Sequence, residues 1–241
     1  MTHTLDDIIH NVKHPARFTD SILEAAFNML DFRFQGDTPT LYDPFAGTGK
    51  GVEYFAERGW EVWGTELEPE WAAQSANVDC CDSLQWMAQR ALLMRSPLFG
   101  RPMPGFDVVF TSPCYGNRLA DHHEAKDASK RITYRHQLGR PLTEGSAAGM
   151  QWGDTYKRFH AQAWSLVYDV LKPGGYFLLN VSDHIRKGQR QEVVEWHVTT
   201  CLAVGFQLVE HAKVTTPRQR YGANGAMRVE SESLVLLRKP L

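Results

Sequence analysis

The apolar run Phe106-Asp107-Val108-Val109-Phe110 leads straight into Thr111-Ser112-Pro113-Cys114-Tyr115. A buried strand ending in a short polar-Pro-x-aromatic loop can hold a flat, amino-bearing ring. The aromatic face stacks on the ring while a hydroxyl and a carbonyl accept its N–H groups. Ser112 Oγ and the Pro113 carbonyl are the candidate acceptors, and Tyr115 is the candidate stacking face. Upstream lies Asp43-Pro44-Phe45-Ala46-Gly47-Thr48-Gly49, with the composition of a turn that cradles a nucleotide-type cofactor. Gly47 and Gly49 let the backbone approach a ligand closely and take positive φ. Phe45 and Ala46 lie within the same turn, and Asp43 can accept from a positively charged amine. Glu66, at the end of the next predicted strand, is placed to bind both hydroxyls of a ribose. Asp82, after the strand that follows, is placed to take an adenine amino group. The GxxxxGK[ST] spacing of a phosphate-cradling loop is missing, which argues against ATP or GTP.

The elements that must position these residues alternate. Helical apolar spacing over 19–31 has Thr19 or Asp20 as its cap. Residues 40–42 begin a strand into the glycine turn, and a helix over 51–58 stops at Gly59. Strands are expected over 60–65, 78–80, 107–111 and 176–181, with helices over 70–76 and 83–94, the latter capped by Ser83. An amphipathic helix over 154–171 ends at Pro173-Gly174-Gly175. Helix 192–204 stops at Gly205, and strands 207–214 and 233–237 close the chain. Such alternation, finished by a strand pair, predicts an α/β fold with a doubly wound, mostly parallel sheet and one antiparallel addition. In such sheets ligands sit at the carboxyl ends of strands, where the strand order reverses. Residues 116–153 show no periodicity, and a connection of that length is expected to be functional. We read 1–241 as one domain carrying 116–153 as an insertion.

Bulk composition limits the alternatives. Hydrophobic residues make up 43% of the 241, enough for a sizeable core. The four cysteines (Cys80, Cys81, Cys114 and Cys201) have no CxxC spacing, so neither a disulfide framework nor a zinc site is expected. With no apolar run at the N-terminus suited to a signal or a membrane span, a cytoplasmic protein is expected. The net charge of −2 excludes a uniformly basic nucleic-acid binder. Local charge is different: residues 116–160 hold eight Lys/Arg against five Asp/Glu, and 211–228 hold Lys213, Arg218, Arg220 and Arg228 with no acid. This asymmetry predicts one basic face.

DPFAGTG, the position of Glu66, SPCY and LKPGG together resemble motifs of S-adenosylmethionine-dependent methyltransferases. More narrowly, they resemble the enzymes that methylate exocyclic amino groups in DNA, whose catalytic loop is written [S/D/N]PP[Y/W/F]. The resemblance spans about residues 14–238. It implies a Rossmann-like class I fold with seven strands, one antiparallel. It implies S-adenosyl-L-methionine as cofactor, bound by Phe18, Asp43, Phe45, Ala46, Gly47, Gly49, Glu66, Asp82 and Ser112. His14-Pro15-Ala16-Arg17-Phe18 resembles the segment that closes over the methionine end. Catalysis would fall to Ser112, Pro113, Cys114 and Tyr115, with the target base extruded. Ser112 leans toward cytosine N4, whereas Asp there would favour adenine N6.

Cys114 departs from the family pattern, in which a second proline is usual. Pro113-Cys114 also resembles the nucleophile dipeptide of cytosine-C5 methyltransferases, in which a thiolate attacks C6. Leu179-Asn180-Val181 lacks the Glu those enzymes use, and Tyr115 stands where they have Gln. A pseudoenzyme that binds cofactor and nucleic acid without turnover is the further alternative. His122-His123-Glu124 has no third ligand at a metal spacing, so no metal is expected. Target contacts are expected from the basic, aromatic-bearing loops 116–153 and 215–231, through Asn117, Arg118, Arg218 and Arg220, with Tyr134, His136, Trp152 and Tyr221 for stacking. DNA is the expected partner, RNA the alternative, and a homodimer would supply a second reading surface.

Overall fold

The computed structural model describes residues 12–34, 36, 38–96, 103–116, 118–120, 133–186, 188–216 and 229–241, with Arg118 described by its backbone alone. Seven strands form one sheet: β1 (Thr40–Asp43), β2 (Glu61–Glu66), β3 (Val78–Cys80), β4 (Phe106–Thr111), β5 (Leu171–Val181), β8 (Gln207–Thr215) and β9 (Ser231–Arg238). The order is β3-β2-β1-β4-β5-β9-β8. All neighbours are parallel except β5–β9 and β9–β8, so β9 alone runs against the sheet. Two short strands, β6 (His184–Arg186) and β7 (Gln189–Gln191), form a separate hairpin.

The order reverses between β1 and β4, which pair through Leu41–Val108 and Tyr42–Val109. The turn after Asp43 and the loop after Thr111 therefore leave the sheet side by side, at the switch point where ligands bind in such folds. β4 is almost fully buried, which explains its unbroken apolar run.

Alternation along the strands feeds two cores. Leu41, Val108, Phe110, Leu178 and Leu236 pack against α1 (Asp20–Asp31) and α2 (Lys50–Ala56). Tyr42, Val109, Phe177, Leu179 and Val235 face the other way. They pack against α4 (Ser83–Arg95), α6 (Asp154–Val170) and α7 (Val193–Val204). The short α3 (Pro69–Ala72) follows β2, and α5 (Tyr134–Leu138) lies within the insertion. No helix among the described residues is long and apolar enough to cross a membrane.

Three expectations change. Asp82, not Ser83, caps α4, its Oδ1 accepting from the N–H groups of Leu84 (2.8 Å) and Gln85 (3.0 Å). Asp and Ser are comparable caps, but the Ser83 hydroxyl is taken by the Pro44 carbonyl behind the cofactor turn. β5 begins at Leu171 rather than at Tyr176, because Lys172–Gly175 enters the strand through a register shift opposite Phe106–Val108. Residues 133–153 hold only α5 and a 3-10 turn (Ala147–Gly149) as regular structure, yet their side chains tie them to the domain. Thr143 donates to the buried Glu68 carboxylate from N and Oγ1, each at 2.9 Å, and Arg140 Nη2 lies 2.9 Å from the same group. Arg140 also forks onto Glu70. These are long-range side-chain contacts, which a search for periodicity cannot detect.

Candidate active site

The glycine turn is set by its surroundings. Ala46 N donates to Thr65 O (3.0 Å), tying the turn to β2. Gly47 has φ +55°, and a Cβ there would lie 3.4 Å from the His14 ring. Gly49 has φ +79°, and a Cβ would lie only 2.4 Å from that of Ser75. Gly49 is thus required for packing beneath the turn, and it does not line the adjacent cavity.

That cavity, about 290 Å³, runs from the turn to the loop after β4. Phe18, Phe45, Ala46, Gly47, Glu66, Asp82, Ser112, Pro113, Cys114 and Tyr115, all expected at the site, line it. Asp43 does not. It is 1% exposed and lies behind the turn, its Oδ1 accepting from Phe45 N (3.0 Å). Its Oδ2 is buried without a well-formed hydrogen bond. Burial pushes the Asp43 carboxyl up to about 7, the Thr111 hydroxyl and Phe45 N–H opposing the rise. Asn117, Arg218 and Arg220, like His122-His123-Glu124 and Tyr221, fall outside the described residues, and the side chain of Arg118 is likewise not described. No cluster of metal-ligating groups occurs among the described residues.

Glu66 folds back over the turn. Its Oε2 accepts from Gly47 N (3.0 Å), and Oε1 accepts from Leu67 N and Glu68 N (2.9 Å each). Burial nevertheless raises this carboxyl to about 7, with the Glu68 charge adding to the rise. Asp82 lines the cavity while capping α4 through one oxygen. The segment 14–18 forms the opposite wall. His14 packs edge-on to Trp71 (4.3 Å between centroids), and Phe18 stacks on Phe110 (4.8 Å). Lys50 Nζ joins the Phe18 carbonyl (2.8 Å) and Asp20 (2.7 Å), clamping this wall to α2.

At the far end, Ser112 Oγ and the Tyr115 hydroxyl are 2.9 Å apart. Tyr115 donates to Glu232 Oε2 at 3.0 Å. Asn180 Nδ2 reaches Glu232 Oε2 (2.8 Å), the Tyr115 hydroxyl (3.2 Å) and Ser112 Oγ (3.3 Å). Asn180 and Glu232 were not expected at the site. Asn180 sits at the end of β5, where a ligand-facing residue could be sought. Glu232 gives no local signal. It reaches the site because β9 runs antiparallel, pairing Val181 with Ser233, so its first residues enter at the edge where the parallel strands leave.

The Cys114 thiol meets the Tyr134 hydroxyl at the cavity wall. Burial pushes its thiol up to about 12, the reverse of the lowered pKa that makes a reactive thiolate. Tyr134 is 3% exposed, in a cluster with Trp71 and Ala148, and forms part of the cavity wall. Trp152 likewise packs onto Tyr156 and Trp196. Arg140, counted toward a basic face, is committed to Glu68 and Glu70.

No family model and no curated protein matches the chain. Solved structures do. A methyltransferase from Pyrococcus furiosus is 14% identical, over 95% of this chain and 88% of that one, with a TM-score of 0.52. A precorrin 8W decarboxylase from Methanobacterium thermoautotrophicum is 13% identical over 94% and 96%, TM-score 0.51. A protein from Listeria monocytogenes assigned to the class I S-adenosylmethionine-dependent methyltransferases is 13% identical over 98% and 65%, TM-score 0.51. The fold is therefore the Rossmann-like class I methyltransferase fold, with its seven-stranded sheet and one antiparallel strand. A fold carries several reactions, and the choice among them falls to the site.

Proposed function

We propose that this chain is an S-adenosylmethionine-dependent methyltransferase acting on the exocyclic amino group of a base in DNA, most readily cytosine N4. The carrying observation is the single cavity that joins the glycine turn, Glu66 and Asp82 to the Ser112–Tyr115 loop. Its wall suits the cofactor: close backbone at Gly47, a carboxylate at Glu66, an oxygen of Asp82 left over from capping, and aromatic closure at Phe18. Bound there, S-adenosylmethionine supplies a methyl group already activated on a sulfonium. What remains for the protein is positioning and electrostatics. Ser112 Oγ and the Pro113 carbonyl accept the two amine N–H groups, drawing the nitrogen lone pair out of the ring. The half-buried Tyr115 ring offers its face to the base while its hydroxyl is held. The protonated Cys114 thiol argues against C5 chemistry.

The insertion, latched by Glu68 onto the cofactor side, and the loop before β9 would carry target contacts, with Asn117, Arg118, Arg218 and Arg220 as the residues for phosphate and base. Methyl transfer from labelled cofactor to DNA and to RNA, followed by nucleoside mass spectrometry, tests the reading. N4-methylcytosine in DNA supports it. N6-methyladenine or an RNA product would move the acceptor, C5-methylcytosine would restore Cys114 as nucleophile, and no product on either polymer would overturn it.

A further inference from the structure

We infer that Glu232 accepts the proton that leaves the target amine, relayed through Ser112 and Tyr115. The inference rests on the amino-methyl-transfer reading and deepens it.

The direction of the hydrogen bonds carries the inference. A carboxylate only accepts. Glu232 Oε2 therefore fixes the Asn180 amide so that nitrogen faces it at 2.8 Å, since the flipped amide would set oxygen against oxygen. It also fixes the Tyr115 proton, which is donated to Glu232 at 3.0 Å. A phenol has one proton, so the Tyr115 oxygen can only accept from Ser112, 2.9 Å away. The Ser112 proton is thereby turned into the cluster. Ser112 Oγ keeps lone-pair capacity on the cavity side, where an amine N–H would arrive. The Ser112 and Tyr115 hydroxyl protons thus run in series toward Glu232.

The step balances. As the amine attacks the methyl carbon, the N–C bond forms and the C–S bond breaks, its electron pair staying on sulfur. The nitrogen loses a proton to Ser112 Oγ, while the Ser112 proton passes to Tyr115 and the Tyr115 proton to Glu232. One N–H and one C–S bond are exchanged for one N–C bond and one Glu232 O–H bond. The positive charge of the sulfonium and the negative charge of the carboxylate cancel. Glu232 is joined to Ser112 through the Tyr115 hydroxyl, and its role is that of a positioning and relay residue. Asn180 holds its carboxylate in line.

Glu232→Gln keeps the shape and an accepting oxygen but removes the proton acceptor. With unmethylated duplex and single-stranded DNA of random sequence and tritiated S-adenosylmethionine, its single-turnover rate should fall about 10²-fold, the usual worth of a general base, with cofactor affinity within twofold of wild type. Tyr115→Phe should fall similarly, and the double variant no further than the worse single one, because a relay fails as a unit. Formate should restore at least about tenfold of the rate lost in Glu232→Ala, again a fraction of a general base's worth. In unliganded protein carrying 13Cζ-tyrosine, the Tyr115 resonance should move in Glu232→Gln, a readout independent of turnover. A Glu232→Gln rate within threefold of wild type, multiplicative losses in the double variant, or an unmoved Tyr115 resonance would each overturn the relay while leaving methyl transfer standing. A wild-type protein without methyl transfer to any DNA or RNA overturns both readings.

Discussion

The two ends of the cavity are built in opposite ways. The cofactor end is local in the chain. The turn at 43–49, Glu66 and Asp82 follow one another on successive strand ends, and the bond closing the turn spans 19 residues, from Gly47 to Glu66. The acceptor end is assembled from afar, with Tyr115 bonded to Glu232 across 117 residues and Asn180 to Ser112 across 68. The cofactor end is held mainly by backbone groups, the acceptor end by side chains. Backbone cradles tolerate many sequences provided glycines stay where φ is positive. A side-chain cluster depends on each member. Damage at the first should therefore appear as lost stability and cofactor affinity, and damage at the second as lost turnover in a folded protein.

The largest expected effect tests that division most directly. Ser112→Ala should lower methyl transfer about 10³-fold, within the range for removing a preorganised acid–base or electrostatic contact, while isothermal titration finds cofactor affinity nearly unchanged. Collapse of cofactor affinity would break the comparison. Gly49→Ala should do the converse. A Cβ would meet Ser75 at 2.4 Å in a backbone with φ +79°, so chemical denaturation should register a loss of about 3 kcal/mol from overpacking and strain. Glu68→Ala sits between the two ends. It removes the buried carboxylate that holds Thr143 and Arg140. Because Arg140 is partly exposed, a loss of about 2 kcal/mol is expected, below that of a fully buried pair. Limited proteolysis should then cut within 139–146, and an uncut variant would mean that the insertion is held elsewhere.

A smaller effect follows from burial behind the turn. The folded-state pKa of Asp43 is raised to about 7 from 3.8. Between these values the folded protein keeps a proton that the unfolded chain has lost, so this group's contribution falls as pH rises from about 4 to 7. Asp43→Asn does not titrate. Its stability relative to wild type should climb by about 1.4 kcal/mol per pH unit across that window and level off above it. Denaturation at pH 5, 6 and 8 checks this, and a flat difference would show that Asp43 is ionised throughout. Cys114→Ser should have the smallest effect, a change in turnover of less than about threefold, which for this half-buried thiol is under 1 kcal/mol. A large loss would make the thiol a participant and merge the two ends chemically.

The same contrast explains what could be read beforehand. The run Phe106–Phe110 identifies a doubly buried strand, and the polar residues after it identify the strand's carboxyl end, because in parallel sheets function gathers there. Gly47 is legible because a positive φ near a ligand asks for glycine. Legibility fails where one side chain has two equally good local uses. Asp82 and Ser83 are both good helix caps, and only the Pro44 carbonyl behind the turn decides between them. Arg140 and Tyr134 look like a basic, aromatic reading surface. In the fold one is bound to Glu68 and Glu70 and the other is buried against Trp71. Composition reports what a loop contains, not what its side chains already touch.

The amino-acid sequence by itself determined the strand-helix alternation and the two turns that form the cavity. Hydrophobic periodicity and glycine are local properties, and a doubly wound sheet has few ways to order its strands. Only the tertiary structure decided that the last strand inserts between β5 and β8, and so that Glu232 meets Tyr115 and Asn180. Strand pairing is set by packing over the whole sheet, and no residue near Glu232 encodes the partner it finds.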